Sequence, residues 1–147
     1  MTPLDLINTR SVLEAFGKDT VDTMRNILIL NGKDVSGELI RSLSYQITYD
    51  ETDIDIEFSM VDYGQFVDKG RKPGKQPPIS SISKWLAIKG IPQRFAFPIA
   101  RKIGLKGIAP TPFFDSTISS KTRELINALE IAYSKDLTTW ITNNLPK

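Results

Sequence analysis

The chain has 147 residues, of which 40% are hydrophobic and 24% charged, with a net charge of +2 and neither histidine nor cysteine. This length and composition are typical of a globular domain with its own core, so we predict a single domain over residues 1–147. The absence of cysteine excludes disulfides and thiolate metal sites, and the absence of histidine removes the usual general base and the commonest metal ligand. Ser-His-Asp, Cys-His and zinc-hydrolase chemistry are therefore excluded.

The start of the chain carries no pattern that is typical of a targeting segment. "MTPLDLINTR" lacks a cationic region followed by an apolar run. The longest aliphatic stretch, "ILIL" at residues 27–30, is far shorter than a membrane span. We therefore expect the protein to be made in the cytoplasm and to make no membrane contact.

The first predicted element is an amphipathic helix over residues 11–30. Its largely apolar face recurs at spacings of three and four residues. That face consists of Leu13, Phe16, Thr20, Met24 and Ile27. Gly17 weakens the middle of this helix by roughly 1 kcal/mol relative to alanine, and Asn31 with Gly32 supplies a stop in the left-handed conformation.

A β-hairpin is predicted next, because two adjacent runs alternate apolar and polar residues. The apolar positions are Leu43, Tyr45, Ile47 and Tyr49 in the first run and Ile54, Ile56, Phe58 and Met60 in the second. A turn near Asp50 and Glu51 joins the two strands. The hairpin is expected to bury one face.

The stretch "DKGRKPGKQPP" at residues 68–78 combines cations, glycines and prolines, as a phosphate-binding loop does. That motif needs four residues between its glycines and a hydroxyl after its lysine, whereas Gly70 and Gly74 are separated by three and Gln76 follows Lys75. A proline pair then stands where a helix would present free N–H groups. We predict a loop or an extended arm that binds no nucleotide.

Three further helices complete the predicted fold. A short one ends at Gly90 and is capped by Ser80 or Ser81, and a second starts near Pro98. A proline-punctuated segment then leads to a long helix over residues 116–143. We predict an α+β fold: a small antiparallel sheet built on the hairpin, packed by a long N-terminal helix, short middle helices and a long C-terminal helix.

Charge is divided sharply along the chain. Residues 69–106 contain ten basic residues and no acidic one, which leaves −8 on the rest of the chain. The basic residues are Lys69, Arg71, Lys72, Lys75, Lys84, Lys89, Arg94, Arg101, Lys102 and Lys106. Seven acids stand in or near the hairpin: Asp50, Glu51, Asp53, Asp55, Glu57, Asp62 and Asp68. Such a division suits contact between copies or with nucleic-acid phosphate, although charge runs are also common on solvated surfaces.

Two clusters invite a functional interpretation. Asp53, Asp55 and Glu57 lie on one side of a strand, as Mg²⁺ ligands of a nuclease do, but they also form the polar half of an alternating strand. The aromatics among the cations suggest base stacking on a single strand, but at helical or proline-flanked positions we expect them in the core. These aromatics are Trp85, Phe95, Phe97, Phe113 and Phe114.

The order of the local motifs resembles the neck, head-tail connector and tail-completion proteins of tailed bacteriophages, a family that includes minor tail components. The matching pieces are "SGELIRS" before the hairpin, "YGQFVDKG" after it, "IARKI", and "PTPFF" before the closing helix. The resemblance covers residues 36–118. It rests on the order and spacing of the motifs, since none is specific alone.

The resemblance implies a structural virion protein, so we predict no enzyme activity, no metal and no cofactor. The protein would form a sixfold or twelvefold homo-oligomeric ring at the head-tail junction or tail top. It would be made in the host cytoplasm and contact adjacent connector, portal or tail proteins, with non-specific contact to packaged DNA. The motif positions carried over are Ser36, Gly37, Leu39, Ser42, Tyr63, Phe66, Val67, Gly70, Pro110, Pro112 and Phe113.

Within this family the basic stretch at residues 68–78 would be an arm, held stiff by its prolines, that reaches a neighbouring subunit or a DNA-lined lumen. Its predicted contact residues are Lys69, Arg71, Lys72, Lys75 and Gln76. The alternative function is a nucleic-acid-binding module that uses the basic segment 69–106. A magnesium-dependent nuclease built on Asp53, Asp55 and Glu57 is a further alternative.

Overall fold

A computed structural model describes residues 3–33 and 37–146. Its elements in chain order are α1 (Ile7–Leu30), α2 (Glu38–Ser42), β1 (Ser44–Tyr49), β2 (Ile54–Ser59), α3 (Gly64–Lys69), α4 (Ile79–Lys89), a 3₁₀ turn (Gln93–Phe95), α5 (Ala96–Lys106) and α6 (Asp115–Asn144). The predicted α+β single-domain fold is confirmed, with a two-stranded antiparallel sheet between long terminal helices.

Helix α1 begins at Ile7, four residues before the predicted start. Leu6 at its N-cap offers no side-chain bond of its own. The free N–H groups of Asn8 and Thr9 instead donate to the carboxylate of Asp136 in α6, far along the chain. The early start is therefore a consequence of tertiary packing, because local capping residues alone would not satisfy these donors.

The hairpin pairs Ser44 with Ser59 and Tyr49 with Ile54, and its half-buried face rests on α1. Gly17 makes this packing possible, since a Cβ there would lie 2.5 Å from the Tyr45 ring. The glycine that weakens α1 as an isolated helix is thus required where helix and sheet meet. The Tyr45 hydroxyl donates to Glu14 at 2.8 Å, and this bond raises the pKa of Tyr45 above its usual range.

The main core lies between α1, α2, the hairpin and the start of α6. Its fully or nearly fully buried residues are Val21, Met24, Leu28, Leu39, Leu43 and Phe113. Half-buried side chains of both strands, among them Tyr45 and Phe58, pack against this cluster. Helix α6 covers the other side of α1 and runs antiparallel to it, since Lys121 pairs with Asp19 and Asp136 with Thr9. None of the helices in the described ranges is long and apolar enough to cross a membrane.

Helices α4 and α5 pack mainly on each other and form a smaller core of Leu86, Ala96 and Ala100. The expected cap by Ser80 or Ser81 is wrong, because Pro78 occupies the N-cap position of α4 and forms no side-chain cap bond. The predicted stop at Gly90 is confirmed by its left-handed conformation. Gly104 in α5 lets the backbone of Gln76 approach closely, because a Cβ there would lie 3.0 Å from the Gln76 Cα.

Asp68 is not part of the acidic surface, contrary to the expectation from its neighbours in sequence. It is only 6% exposed, and one of its carboxylate oxygens accepts hydrogen bonds from the backbone N–H groups of Phe113 and Phe114, both at 2.9 Å. This carboxylate holds the start of α6 against the end of α3. Its negative charge also interacts favourably with the positive, N-terminal end of the α6 dipole.

We expect Asp68→Ala to lower the free energy of unfolding by about 2 kcal/mol, because two buried N–H groups lose a charged acceptor. Asp62→Ala removes an exposed carboxylate a few residues away and should change it by less than about 0.5 kcal/mol. Urea unfolding of the two variants measures both values. Equal free energies of unfolding for the two variants would show that the hydrogen bonds to Asp68 make no net contribution to stability.

Candidate functional site

The motif positions carried over from the family resemblance lie in one region, where α2, the end of the hairpin, α3 and the segment before α6 meet. We call this region the joint. At its first side, the Ser42 hydroxyl donates to the Leu39 carbonyl at 2.7 Å and accepts from the Val61 N–H at 3.1 Å. The Tyr63 hydroxyl donates to Glu38 at 3.3 Å. Leu39 itself is buried in the core, and Gly37 stands at the N-cap of α2 with φ +72°. Ser36, the remaining position of this motif, lies outside the described residues.

The other side of the joint connects α3 to α6. The Val67 carbonyl accepts from the Thr111 N–H at 2.8 Å, and Phe113 is fully buried in the core cluster, against which Val67 packs. Gly70 has φ +71°, and a side chain there would collide with the backbone carbonyl of Ile108. Phe66, Pro110 and Pro112 remain exposed at the edge of the joint. These motif positions thus form a structural joint, with exposed apolar rings only at its rim.

The basic loop is folded back onto its own chain, so the predicted projecting arm does not agree with the structure. Arg71 and Ile108 exchange backbone hydrogen bonds of 2.9 and 2.8 Å, and the Gly74 N–H donates to the Gly104 carbonyl at 2.6 Å. Pro77 is buried. Residues 70–78 form the predicted loop without helix, but Asp68 and Lys69 belong to α3. These bonds hold the loop along the C-terminal end of α5. The prolines and glycines indicated irregular backbone and carried no information on its direction.

The five predicted contact residues have different roles in the structure. Lys69 lies 3.6 Å from Asp115 in an exposed ion pair. Arg71 donates to the Lys75 carbonyl at 3.1 Å and stacks over Phe66, with its Cζ 5.5 Å from the ring centroid. Lys72, Lys75 and Gln76 are exposed. Arg71 therefore stabilises the loop, whereas the side chains of the last three are accessible to a partner.

The aromatic residues that the sequence analysis placed among the cations also divide into buried and exposed ones. Phe113 is buried and Phe114 half-buried, as expected, but Trp85, Phe95 and Phe97 are 38%, 40% and 54% exposed. The expectation that these last three belong to the core is wrong, because α4 and α5 bury mainly Leu86 and small alanines against each other. The Lys89 ammonium lies 4.2 Å from the Trp85 ring centroid and the Arg94 guanidinium 5.0 Å from that of Phe95.

Helix α5 presents a shallow groove that the sequence analysis did not identify. It is lined by Phe97, Pro98, Arg101, Lys102, Leu105 and Lys106, and we call it the α5 groove. The signal was present in the sequence, since two rows spaced by four residues, 97/101/105 and 98/102/106, lie side by side on one helix face. Phe97 and Leu105 form its apolar part and are 54% and 68% exposed. None of the ion pairs in the described part of the chain involves its three cations.

The hairpin presents the opposite charge. We call its exposed acids the acidic hairpin face: Asp50, Glu51, Asp53, Asp55 and Glu57. Asp55 and Glu57 stand opposite Thr48 and Gln46 on the polar side of the sheet. Within residues 3–33 and 37–146, no ion pair joins this face to a cation. The same residues contain no group of three or more acidic side chains placed to hold a metal ion.

Comparisons with protein-family models, with curated proteins and with solved structures found no match.

Proposed function

We propose that this protein is a structural subunit that assembles with copies of itself, through the acidic hairpin face of one copy and the basic surface around the α5 groove of the next. The observation that carries the proposal is that neither charged surface is neutralised within the described chain. Opposite charges on two such surfaces favour encounter and set the orientation of the contact.

A contact between two different surfaces of the same chain repeats from copy to copy. It closes into a ring when the rotation between neighbours permits, and otherwise grows into a filament. A closed sixfold or twelvefold ring is the form that we propose.

The proposed place of this ring is the neck of a tailed phage, at the head-tail junction or the top of the tail. The support is the order of the motifs from Gly37 to Phe113 and their convergence on one joint, which holds the hairpin and the start of α6 in a constant relation. Adjacent connector, portal or tail proteins would then cover the remaining exposed surfaces of the ring.

The solution mass of the purified, DNA-free protein tests the assembly. We expect a multiple of the 16.5 kDa chain mass at low salt and dissociation at about 1 M salt, where the Debye length falls from about 10 Å to about 3 Å. Light scattering at several protein concentrations measures both. A strict monomer at every concentration and salt would contradict self-assembly.

A second candidate function is a nucleic-acid-binding module that uses residues 69–106. The exposed rings of Trp85 and Phe95, each beside a cation, favour it because stacking platforms and phosphate-binding cations are combined in single-strand binding sites. This function predicts binding of an oligonucleotide whose affinity falls steeply with salt. Substitution of Trp85 by alanine would then weaken binding by about 1–3 kcal/mol.

A further inference from the structure

We infer that the α5 groove of one copy receives the hairpin tip, residues 50–54, of the next copy. This inference rests on the proposed self-assembly and adds the element that each copy inserts and the surface that accepts it.

The α5 groove is lined by both apolar and cationic side chains. Phe97 and Leu105 expose more than half of their surfaces, and Arg101, Lys102 and Lys106 have no carboxylate partner in the described chain. An exposed apolar patch next to three cations suits a segment that brings both a hydrophobic side chain and several carboxylates. Phosphate alone would satisfy the cations and leave Phe97 and Leu105 in water.

The hairpin tip carries both a hydrophobic side chain and several carboxylates. Asp50, Glu51 and Asp53 stand in the turn, and Ile54 begins β2 with 38% of its surface exposed. An apolar side chain thus stands next to carboxylates in the tip, just as apolar side chains stand next to cations in the groove. Burial of Ile54 against Phe97 and Leu105 would add hydrophobic stabilisation that charge pairing at a solvated surface does not supply.

The tip is also ordered before it binds. The Asp50 N–H donates to the Asp53 carbonyl at 2.8 Å, and Tyr49 pairs with Ile54 at the end of the ladder. A segment that is already held in one conformation loses little entropy on docking, which favours binding even by a small contact. All four residues of the turn, 50–53, are exposed.

The absence of cysteine from the chain allows a direct test by crosslinking. One tagged copy carries Thr52→Cys at the tip, and a second copy carries Leu105→Cys in the groove. Mixed at low salt with a short bis-maleimide, they should give a crosslinked heterodimer that is lost at about 1 M salt. Ile131→Cys, at a 61% exposed position on α6, replaces the groove cysteine in the control mixture and should give only background.

The outcomes separate this inference from the proposed function. If the wild-type protein assembles but the tip crosslinks to α6 as well as to the groove, or to neither, the inference is overturned and self-assembly stands. If the wild-type protein stays monomeric and no crosslink forms, both fail. If a duplex oligonucleotide protects the groove cysteine from maleimide and an excess of protein with an intact hairpin does not, the groove is a nucleic-acid site and the inference is overturned.

A further variant tests the apolar part of the contact. Ile54→Ser keeps all charges of the tip and should reduce the yield of the tip–groove crosslink. Thr48→Ser, on the polar side of the neighbouring strand, should leave the yield unchanged. An unchanged yield in Ile54→Ser, with the hairpin still folded, would show that Ile54 does not enter the groove.

Discussion

Reversal of either charged surface alone is expected to abolish assembly, and mixing the two reversed proteins is expected to restore it. The first variant carries Asp53→Lys, Asp55→Lys and Glu57→Lys on the acidic hairpin face, and the second carries Arg101→Glu, Lys102→Glu and Lys106→Glu in the α5 groove. Alone, the first variant changes the charge of the acidic hairpin face from −5 to +1, and the second replaces the three cations of the α5 groove by carboxylates, so each loses the attraction at its contacts. In the mixture, both kinds of contact between unlike copies are attractive, so an alternating assembly forms.

The stoichiometry of this experiment is informative. A restored assembly must contain the two variants in equal numbers, which a tag on one of them measures. Either variant mixed with the wild-type protein can form only one of the two contacts it needs, so it should shorten the assembly rather than join a closed ring. Light scattering of each variant, of their mixture and of each variant mixed with the wild-type protein gives five masses.

All six substituted positions are exposed, so the stability of the folded monomer should change little. Circular dichroism and thermal unfolding of each variant are the control for this. Assembly through these two surfaces would be contradicted if each folded variant keeps the wild-type mass, or if the mixture of two folded variants remains monomeric.

Asp136→Ala should destabilise the protein by about 3 kcal/mol, the largest effect on stability that we expect from a single polar side chain. Asp136 is 3% exposed, and its two oxygens accept from the backbone N–H groups of Asn8 and Thr9 and from both of their side chains, at 2.7 to 2.9 Å. Truncation leaves the first turn of α1 without its acceptors in a buried place. Lys135→Ala, at an exposed position one residue away, is the matched control and should change stability by less than about 0.5 kcal/mol.

The pH dependence of stability offers a second measurement of the same contact. Burial alone would raise the pKa of Asp136, but the hydrogen bonds from Thr9 and Asn8 prevail and lower it to about 2, from 3.8. Because the pKa is lower in the folded state, the ionised group stabilises the fold above about pH 4, and this stabilisation is lost as the pH falls from about 4 to 2. This pKa difference corresponds to about 2 kcal/mol of the free energy of unfolding at neutral pH.

Urea unfolding between pH 7 and pH 2 of the wild-type protein and of Asp136→Asn tests this dependence. The difference in the free energy of unfolding between the two should be largest near neutral pH and shrink below pH 4. Parallel pH profiles would show that the ionised carboxylate of Asp136 is not what joins α1 to α6.

Several elements were predictable because their signals are local. The three- and four-residue spacing of apolar side chains predicted most of α1, and α6 begins and ends within one residue of its predicted bounds. The alternation in the two runs predicted a hairpin whose strands differ from the structure by one residue at one end each. Local periodicity is sufficient here because a helix or a hairpin buries one face whatever the rest of the chain does.

Other features were not predictable because they depend on what each side chain meets. Asp68 and Asp55 are both acids in the same charged region, yet one is buried against the start of α6 and the other is exposed. Phe113 and Phe97 are both aromatics near prolines, yet one lies in the core and the other in the α5 groove. Residue type and spacing are alike in each pair, so they cannot distinguish the two outcomes.

The sequence by itself determined the class of fold, the order of the hairpin and the longer helices, and the separation of an acidic hairpin from a basic segment, because these follow from composition and period along one dimension. Tertiary structure alone decided that the basic loop folds back on α5, that Asp136 caps α1 from the far end of the chain, and that an apolar groove opens among the cations. The physical reason is that burial and backbone hydrogen bonding are satisfied by whichever groups the fold brings together, irrespective of their separation along the chain.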